Sequence, residues 1–188
     1  QYNTGLEFAI LNNRIKGNFD YYSKETNNLL SSMSLPYSTG FSSYMENIGV
    51  VRNTGYEISL NGYLIRDEQK DIVLILSTKL AYNKNKIIRL SDDIKRQTAE
   101  YLKQDKDIAY LFYEGRSQNA LYAVRSLGID PSSGTEIFLD KEGNSTYEWN
   151  PSDKVYLGVN EPLYNGNAGL MFSWKDLTIN LSFGYHWG

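Results

Sequence analysis

Few residues in this chain have the types and spacing that do chemistry. Cysteine is absent and His186 is the single histidine. That removes a disulfide framework, a thiolate metal site and a cysteine nucleophile, and leaves one imidazole with no second histidine to share a metal. The densest carboxylates are Asp92/Asp93 and Asp105/Asp107. A glycosidase needs two carboxyl groups held across a scissile bond, but Asp92 and Asp93 follow Ser91 at the head of an amphipathic stretch, where acids complement a helix N-terminus. Asp140 to Glu148 lacks the alternating oxygen ligands and distal Glu of a calcium loop. Asn144-Ser145-Thr146 fits a glycosylation triplet that also arises by chance. The pattern assigns no catalytic residue, metal or cofactor, and the chain is not read as an enzyme. What remains is a mixture of rings and polar groups: Tyr110, Phe112, Tyr113, Arg116, Tyr122, Tyr147, Trp149 and Tyr156. Rings stack on sugar faces or peptide side chains while Arg, Asn and Asp form hydrogen bonds, a combination suited to selective capture. Tyr113, Arg116, Tyr147 and Trp149 are the candidate substrate-binding residues. The competing reading is that the set packs a small core of its own.

The elements that must position these residues are strands. From Leu177 to Tyr185 apolar Leu177, Ile179, Leu181, Phe183 and Tyr185 alternate with Thr178, Asn180, Ser182 and Gly184. One face is greasy and the other small and hydratable, the pattern of a transmembrane β-barrel wall. The preceding segment sets Gly166, Ala168, Leu170, Phe172 and Trp174 against Asn165, Asn167, Gly169, Met171 and Ser173, with Lys175-Asp176 as a hairpin turn. Further strands are expected from about Thr4 to Leu11, Arg14 to Leu30, Ile48 to Ile65 and Asp71 to Asn83. Asn12-Asn13 and Arg66 to Lys70 form tight connections. Val73 and Ile75 interrupt the polar side of the fourth strand, which therefore reads as buried on both faces near its start. Six long strands result, with long and short connections on opposite sides.

Between the fourth strand and the closing hairpin the pattern changes. Ser91 caps a short surface helix to about Gln104, with Ile94, Thr98, Tyr101 and Leu102 on one stripe. Short β segments follow at Ala120 to Leu127, Glu136 to Leu139 and Ser145 to Trp149, with Gly143 at a positive-φ turn position. The organisation expected is barrel strands over 1–90 in two hairpins with an extracellular loop around 31–46, a long extracellular excursion over 91–162, and a barrel hairpin over 163–188.

Composition bounds the function. The formal charge of -3 offers no basic field for nucleic acid. Only 41% of the residues are apolar, and no run approaches the roughly 18 apolar residues of a membrane helix. Tyrosine, at 16 residues, leads the aromatics, as it does where barrels mark the lipid boundary. A soluble all-β carbohydrate-binding module, its apolar faces packed on each other, is the alternative. Gln1-Tyr2-Asn3-Thr4-Gly5 resembles neither a translation start nor a signal peptide, so the chain is expected to be an internal piece of a longer protein.

Ordered elements along nearly the whole chain carry a family likeness. They include Gly17-Asn18-Phe19-Asp20-Tyr21-Tyr22-Ser23-Lys24-Glu25-Thr26 with Asn28-Leu29-Leu30, Asn47-Ile48-Gly49 and Asn53-Thr54-Gly55-Tyr56-Glu57. Glu114-Gly115-Arg116-Ser117, Gly128-Ile129-Asp130-Pro131 with Gly134, Asp140-Lys141-Glu142-Gly143, Asp153 with Gly158, and Glu161-Pro162 follow before the closing hairpin. With these the chain resembles the C-terminal barrel region of SusC/RagA-type TonB-linked outer-membrane proteins of Bacteroidetes. The resemblance implies an all-β, antiparallel transmembrane barrel of 22 strands with long extracellular loops, occluded by an N-terminal plug, in the outer membrane. It also implies import of glycans or peptides, a SusD-like surface lipoprotein as lid, and coupling to the TonB complex. The plug and the remaining strands would lie outside these residues, because six strands cannot close a barrel of that width.

Overall fold

The computed structural model describes residues 1–34, 40–103 and 111–188, without the side chains of 33, 34 and 101–103. Tyr110, Asp105 and Asp107 lie outside the described residues, as do the side chains of Tyr101 and Leu102. Strands β1 (Tyr2–Ile10), β2 (Ile15–Ser34), β3 (Ser43–Asp67) and β4 (Ile72–Leu90) are followed by helix α1 (Asp92–Lys103). Five short strands come next: β5 (Ala120–Ala123), β6 (Arg125–Ile129), β7 (Glu136–Leu139), β8 (Ser145–Thr146) and β9 (Val155–Val159). The hairpin of β10 (Tyr164–Trp174) and β11 (Leu177–Trp187) closes the chain. The six long strands form one sheet in the order β1-β2-β3-β4-β10-β11. β4 and β10 are therefore neighbours, and everything from Ser91 to Leu163 is an excursion between adjacent strands.

Two compact units divide the chain, one of Gln1–Glu25, Arg52–Lys84 and Glu161–Gly188, the other of Thr26–Val51 and Asn85–Asn160. The first unit is the wall. Its register turns the alternation into continuous faces, because directly opposed residues point the same way. Ile72, Leu74, Leu76, Thr78, Leu80 and Tyr82 face Trp174, Phe172, Leu170, Ala168, Gly166 and Tyr164, which face Leu177, Ile179, Leu181, Phe183, Tyr185 and Trp187. Across the other hairpin, Thr4, Leu6, Phe8 and Ile10 oppose Tyr21, Phe19, Gly17 and Ile15. β10 and β11 each have 11 residues; at about 3.4 Å per residue and a tilt of about 40° that covers roughly 26 Å, the height of a barrel's apolar band. Leu6, Leu64, Leu181 and Phe183 are all exposed, so this face covers no core.

A row of rings bounds the band at the end away from the short turns. Phe19, Tyr56, Tyr82, Tyr164 and Trp187 contact one another in sequence, with centroids 4.9 to 6.3 Å apart, each ring on a different strand. Near the other end, Lys175 lies 5.3 Å from the centre of the Trp174 ring. Amphipathic rings at two levels are how barrel walls meet both water interfaces.

Two joints fix the strands laterally. Tyr185 lies across Gly166 of the neighbouring strand and donates its hydroxyl to Lys79 O, one strand further on, at 2.7 Å. A Cβ at position 166 would meet Lys79 O and sit 2.6 Å from the Tyr185 ring, so only glycine admits the crossing. On the opposite face Tyr22 crosses Gly55 in the same way, and its hydroxyl donates to Asn83 Oδ1 at 3.0 Å. Each joint ties three strands with one side chain.

The polar face is equally continuous. Asn18, Glu57, Lys79, Asn165, Asn167 and His186 line a broad open hollow. His186, opposite Asn165, belongs to this hydrated face. Val73 and Ile75 are half-buried on it opposite Ser173 and Met171, giving an apolar patch near the turns.

The second unit holds all the buried apolar side chains among the described residues: Ile48, Val50, Val51, Ile87, Leu90, Ile94 and Phe112. The long strands run further than their alternation suggests. β2 extends to Ser34, β3 begins at Ser43 and β4 ends at Leu90, because their ends pair and pack within this unit. The part of the expected loop at 31–46 that is described is thus mostly strand. Ser91 caps α1 as its spacing predicts, its Oγ accepting from Ile94 N at 3.3 Å and donating to Asn47 O at 2.6 Å. Asp92 and Asp93 occupy the first turn. The helix is anchored through Ile94, only 3% exposed.

Candidate functional site

All four candidate residues fall in the second unit, on two different supports. The first is a turn, Tyr113 to Arg116, closed by Arg116 N donating to Tyr113 O at 3.1 Å. It is sewn to the end of β4: Gly115 N donates to Ile87 O and Ile87 N to Arg116 O, both at 2.8 Å. Glu114 accepts from Leu90 N at 3.0 Å and pairs with Lys95 of α1 at 2.9 Å. Lys95 and the Leu90 N–H hold its carboxyl below the usual range. Beyond the turn, Asn85 Oδ1 accepts from Ser117 Oγ and from Gln118 N. Phe112, just before it, is part of the core. The turn is thus a rigid platform made by the core beneath it.

On that platform the structure brings Tyr113 and Arg116 together with Tyr122 and Tyr156. Tyr122 of β5 opposes Tyr156 of β9 in register, with ring centroids 5.8 Å apart, and Tyr113 packs on Tyr122 at 5.2 Å. The Arg116 guanidinium lies 4.2 Å above the Tyr156 ring, a cation–π contact. The Tyr122 hydroxyl is shielded from solvent and has no hydrogen-bond partner among the described residues. Burial, then the neighbouring Tyr113, pushes its pKa up.

Tyr147 sits on the second support, the three-stranded sheet β6-β7-β8. Its hydroxyl donates to Asp130 Oδ2 at 2.7 Å. Asp130 also accepts from Ser132 N and Ser132 Oγ, and with the Tyr147 hydroxyl these hold its carboxyl well below the ordinary carboxylate range. The same bond raises the Tyr147 phenol. Asp140 closes the adjoining hairpin, accepting from Asn144 N at 2.7 Å, with Gly143 at φ 90. Trp149 is 47% exposed, beside Asn150, which caps the short turn at Pro151–Asp153.

Sequence spacing places Tyr122 and Tyr156 among the wider set of rings but misses their pairing, because β9 is a five-residue strand that meets β5 only through the fold. The stretch Ala120 to Leu127 is two strands, broken at Val124, that pair with different partners. Ser145 to Trp149 is strand only at Ser145–Thr146. In the sequence Asp130 stands only within the family element Gly128-Ile129-Asp130-Pro131, with no partner assigned to it.

Comparison with known proteins sets this geometry in context. A scan against protein-family models finds no match. The chain is 30% identical over a 200-residue alignment to TonB-dependent receptor P3 of Formosa agariphila, covering 97% of this chain and 20% of that one. It is 28% identical to TonB-dependent receptor SusC of Bacteroides thetaiotaomicron, over 92% of this chain and 18% of that one. Among solved structures it superposes on the RagAB peptide transporter with a TM-score of 0.75 at 25% identity, covering 98% of this chain and 20% of that chain. The chain thus spans about a fifth of the length of the relatives it matches.

Proposed function

The chain is a segment of a SusC/RagA-type TonB-dependent receptor, and we propose that it forms barrel wall and substrate-contacting loops of an outer-membrane importer of glycans or peptides. The observation that carries this reading is the wall's exposed apolar face, about one bilayer tall and bounded by a row of rings. In a soluble sandwich Leu6, Leu64, Leu181 and Phe183 would be covered by a second sheet; here they are exposed, which argues against that alternative. Within 1–90 the strand portions of the first unit, with the hairpin over 163–188, are assigned to the wall, and 91–162, with the strand ends that share its unit, to the extracellular side.

On this reading Tyr113, Arg116, Tyr147 and Trp149 meet substrate. Their rings stand at the surface, and Arg116 and Tyr113 rest on a turn anchored to a dry core, so binding would cost little ordering. The same side would receive a SusD-like lipoprotein, and the parts of the receptor beyond this chain would supply the plug and the link to TonB. The relatives are named as receptors and a transporter, and no step of catalysis is assigned. The test is growth of the parent organism on a panel of oligosaccharides and peptides as sole nutrient. Trp149→Ala with Tyr147→Ala in the full-length receptor is expected to slow growth several-fold on the oligomer imported and not on its free monomer. Equal growth on both, with the receptor at normal levels in the outer membrane, would contradict the assignment.

A further inference from the structure

The platform at Tyr113–Arg116 has a charge imbalance that the proposed substrate contact leaves unexplained. Arg116 is exposed and its guanidinium makes no ion pair or hydrogen bond among the described residues. The adjacent carboxylate cannot serve it, since Glu114 is held by Lys95 at 2.9 Å and by Leu90 N. A second cation is close by: Lys86, also exposed, has its Cε 3.8 Å from where a Cβ would stand on Gly115. It too has no ion pair among the described residues. Among the described residues, two cations without a counter-charge thus flank a turn whose one acid is already paired.

Geometry narrows what they would take. The place of Arg116 over the Tyr156 ring restrains its guanidinium, and the N–H groups, without an acceptor among the described residues, suit a planar two-oxygen acceptor. The same ring cluster contains the Tyr122 hydroxyl, a sequestered donor with no acceptor among the described residues. We infer that Arg116 and Lys86, backed by the Tyr113–Tyr122–Tyr156 rings, form a carboxylate-binding site for incoming substrate. The inference rests on the reading that this turn meets substrate. The carboxylate would come from a peptide's acidic groups or from a uronic acid.

The test measures affinity of the purified full-length receptor in detergent by microscale thermophoresis. Four probes are used: a casein digest, the same digest with its carboxyl groups amidated, galacturonate oligomers, and their methyl esters. The acid form of one pair is expected to bind about ten-fold more tightly than its neutral form, with the advantage shrinking as salt rises. The pair that shows it identifies the source. Arg116→Gln should abolish the preference, and Arg116→Lys should keep part of it. Acid and neutral forms binding alike, or a preference that survives Arg116→Gln, would overturn the inference. If Tyr147→Ala and Trp149→Ala still weaken binding in that case, the substrate-contact reading stands and only the carboxylate assignment falls. No binding of any probe would sink both.

Discussion

The wall and the second unit are built from the same strands by opposite rules. Within the first unit, β2, β3 and β4 alternate apolar with polar and bury no apolar side chain among the described residues. Their other portions belong to a unit with Ile48, Val51 and Ile87 fully buried. A fully buried aliphatic side chain gains about 1.5–3 kcal/mol by leaving water. The wall residues forgo that gain within this chain, and on the proposed reading lipid supplies it. The wall instead invests in lateral joints, Tyr185 over Gly166 and Tyr22 over Gly55, which a membrane does not weaken. Where water is the solvent, a sheet needs a core; where lipid is, it needs register.

Substitutions can break this contrast. The largest effect is expected in the second unit: Ile87→Ala should cost about 2–5 kcal/mol through the cavity it leaves. Hydrogen exchange should show faster opening across 85–160 while the heat-resistant barrel of the full-length receptor persists. Loss of the barrel itself would mean that the two regions are not separable. Next comes Leu181→Arg, in the mid-height row with Leu170 and Leu76, at about 2–4 kcal/mol in a membrane assembly assay. Asn180→Arg, one residue away on the hydrated face, should be tolerated. Gly166→Ala should cost about 1–3 kcal/mol by overpacking, seen as a lower midpoint of heat modifiability, with Tyr185→Phe losing about 1 kcal/mol for its hydrogen bond.

The smallest effect is a titration. Asp130 is depressed when folded, so what it contributes to the loop is fully present above the unfolded value of about 3.9 and is lost only as the pH falls through its lower folded value. The second unit's loop should therefore be indifferent to pH from 7 to 5. Carbon NMR of the carboxyl should place the Asp130 transition below the ordinary range, and Tyr147→Phe should move it upward. An Asp130 that titrates normally in the unaltered loop would remove the Tyr147–Asp130 bond.

Much of the wall was legible because its information is local. A period of two over 11 residues announces both faces, and Lys175-Asp176 announces the turn. Ser91 with two acids behind it announces a helix start for the same reason. What stayed hidden is long-range. Lys84, Asn85 and Lys86 break the alternation of β4, yet the strand continues because the turn at Gly115–Arg116 pairs with Ile87. The pairing of Tyr122 with Tyr156 and the reach of Tyr185 across a whole strand depend on register, which no local spacing reveals. At the candidate site, residue types were readable but companionship was not: Tyr113 and Arg116 share a platform, while Tyr147 is committed to Asp130.

The central claim is that the apolar side of the wall faces lipid. Nitroxide labels placed singly at 178 to 183 of the full-length receptor in lipid vesicles test it directly, by comparing collisions with oxygen and with a water-soluble nickel chelate. Positions 179, 181 and 183 should favour oxygen and 178, 180 and 182 the chelate, alternating residue by residue. A flat profile, or one with the two sets reversed, would contradict the account.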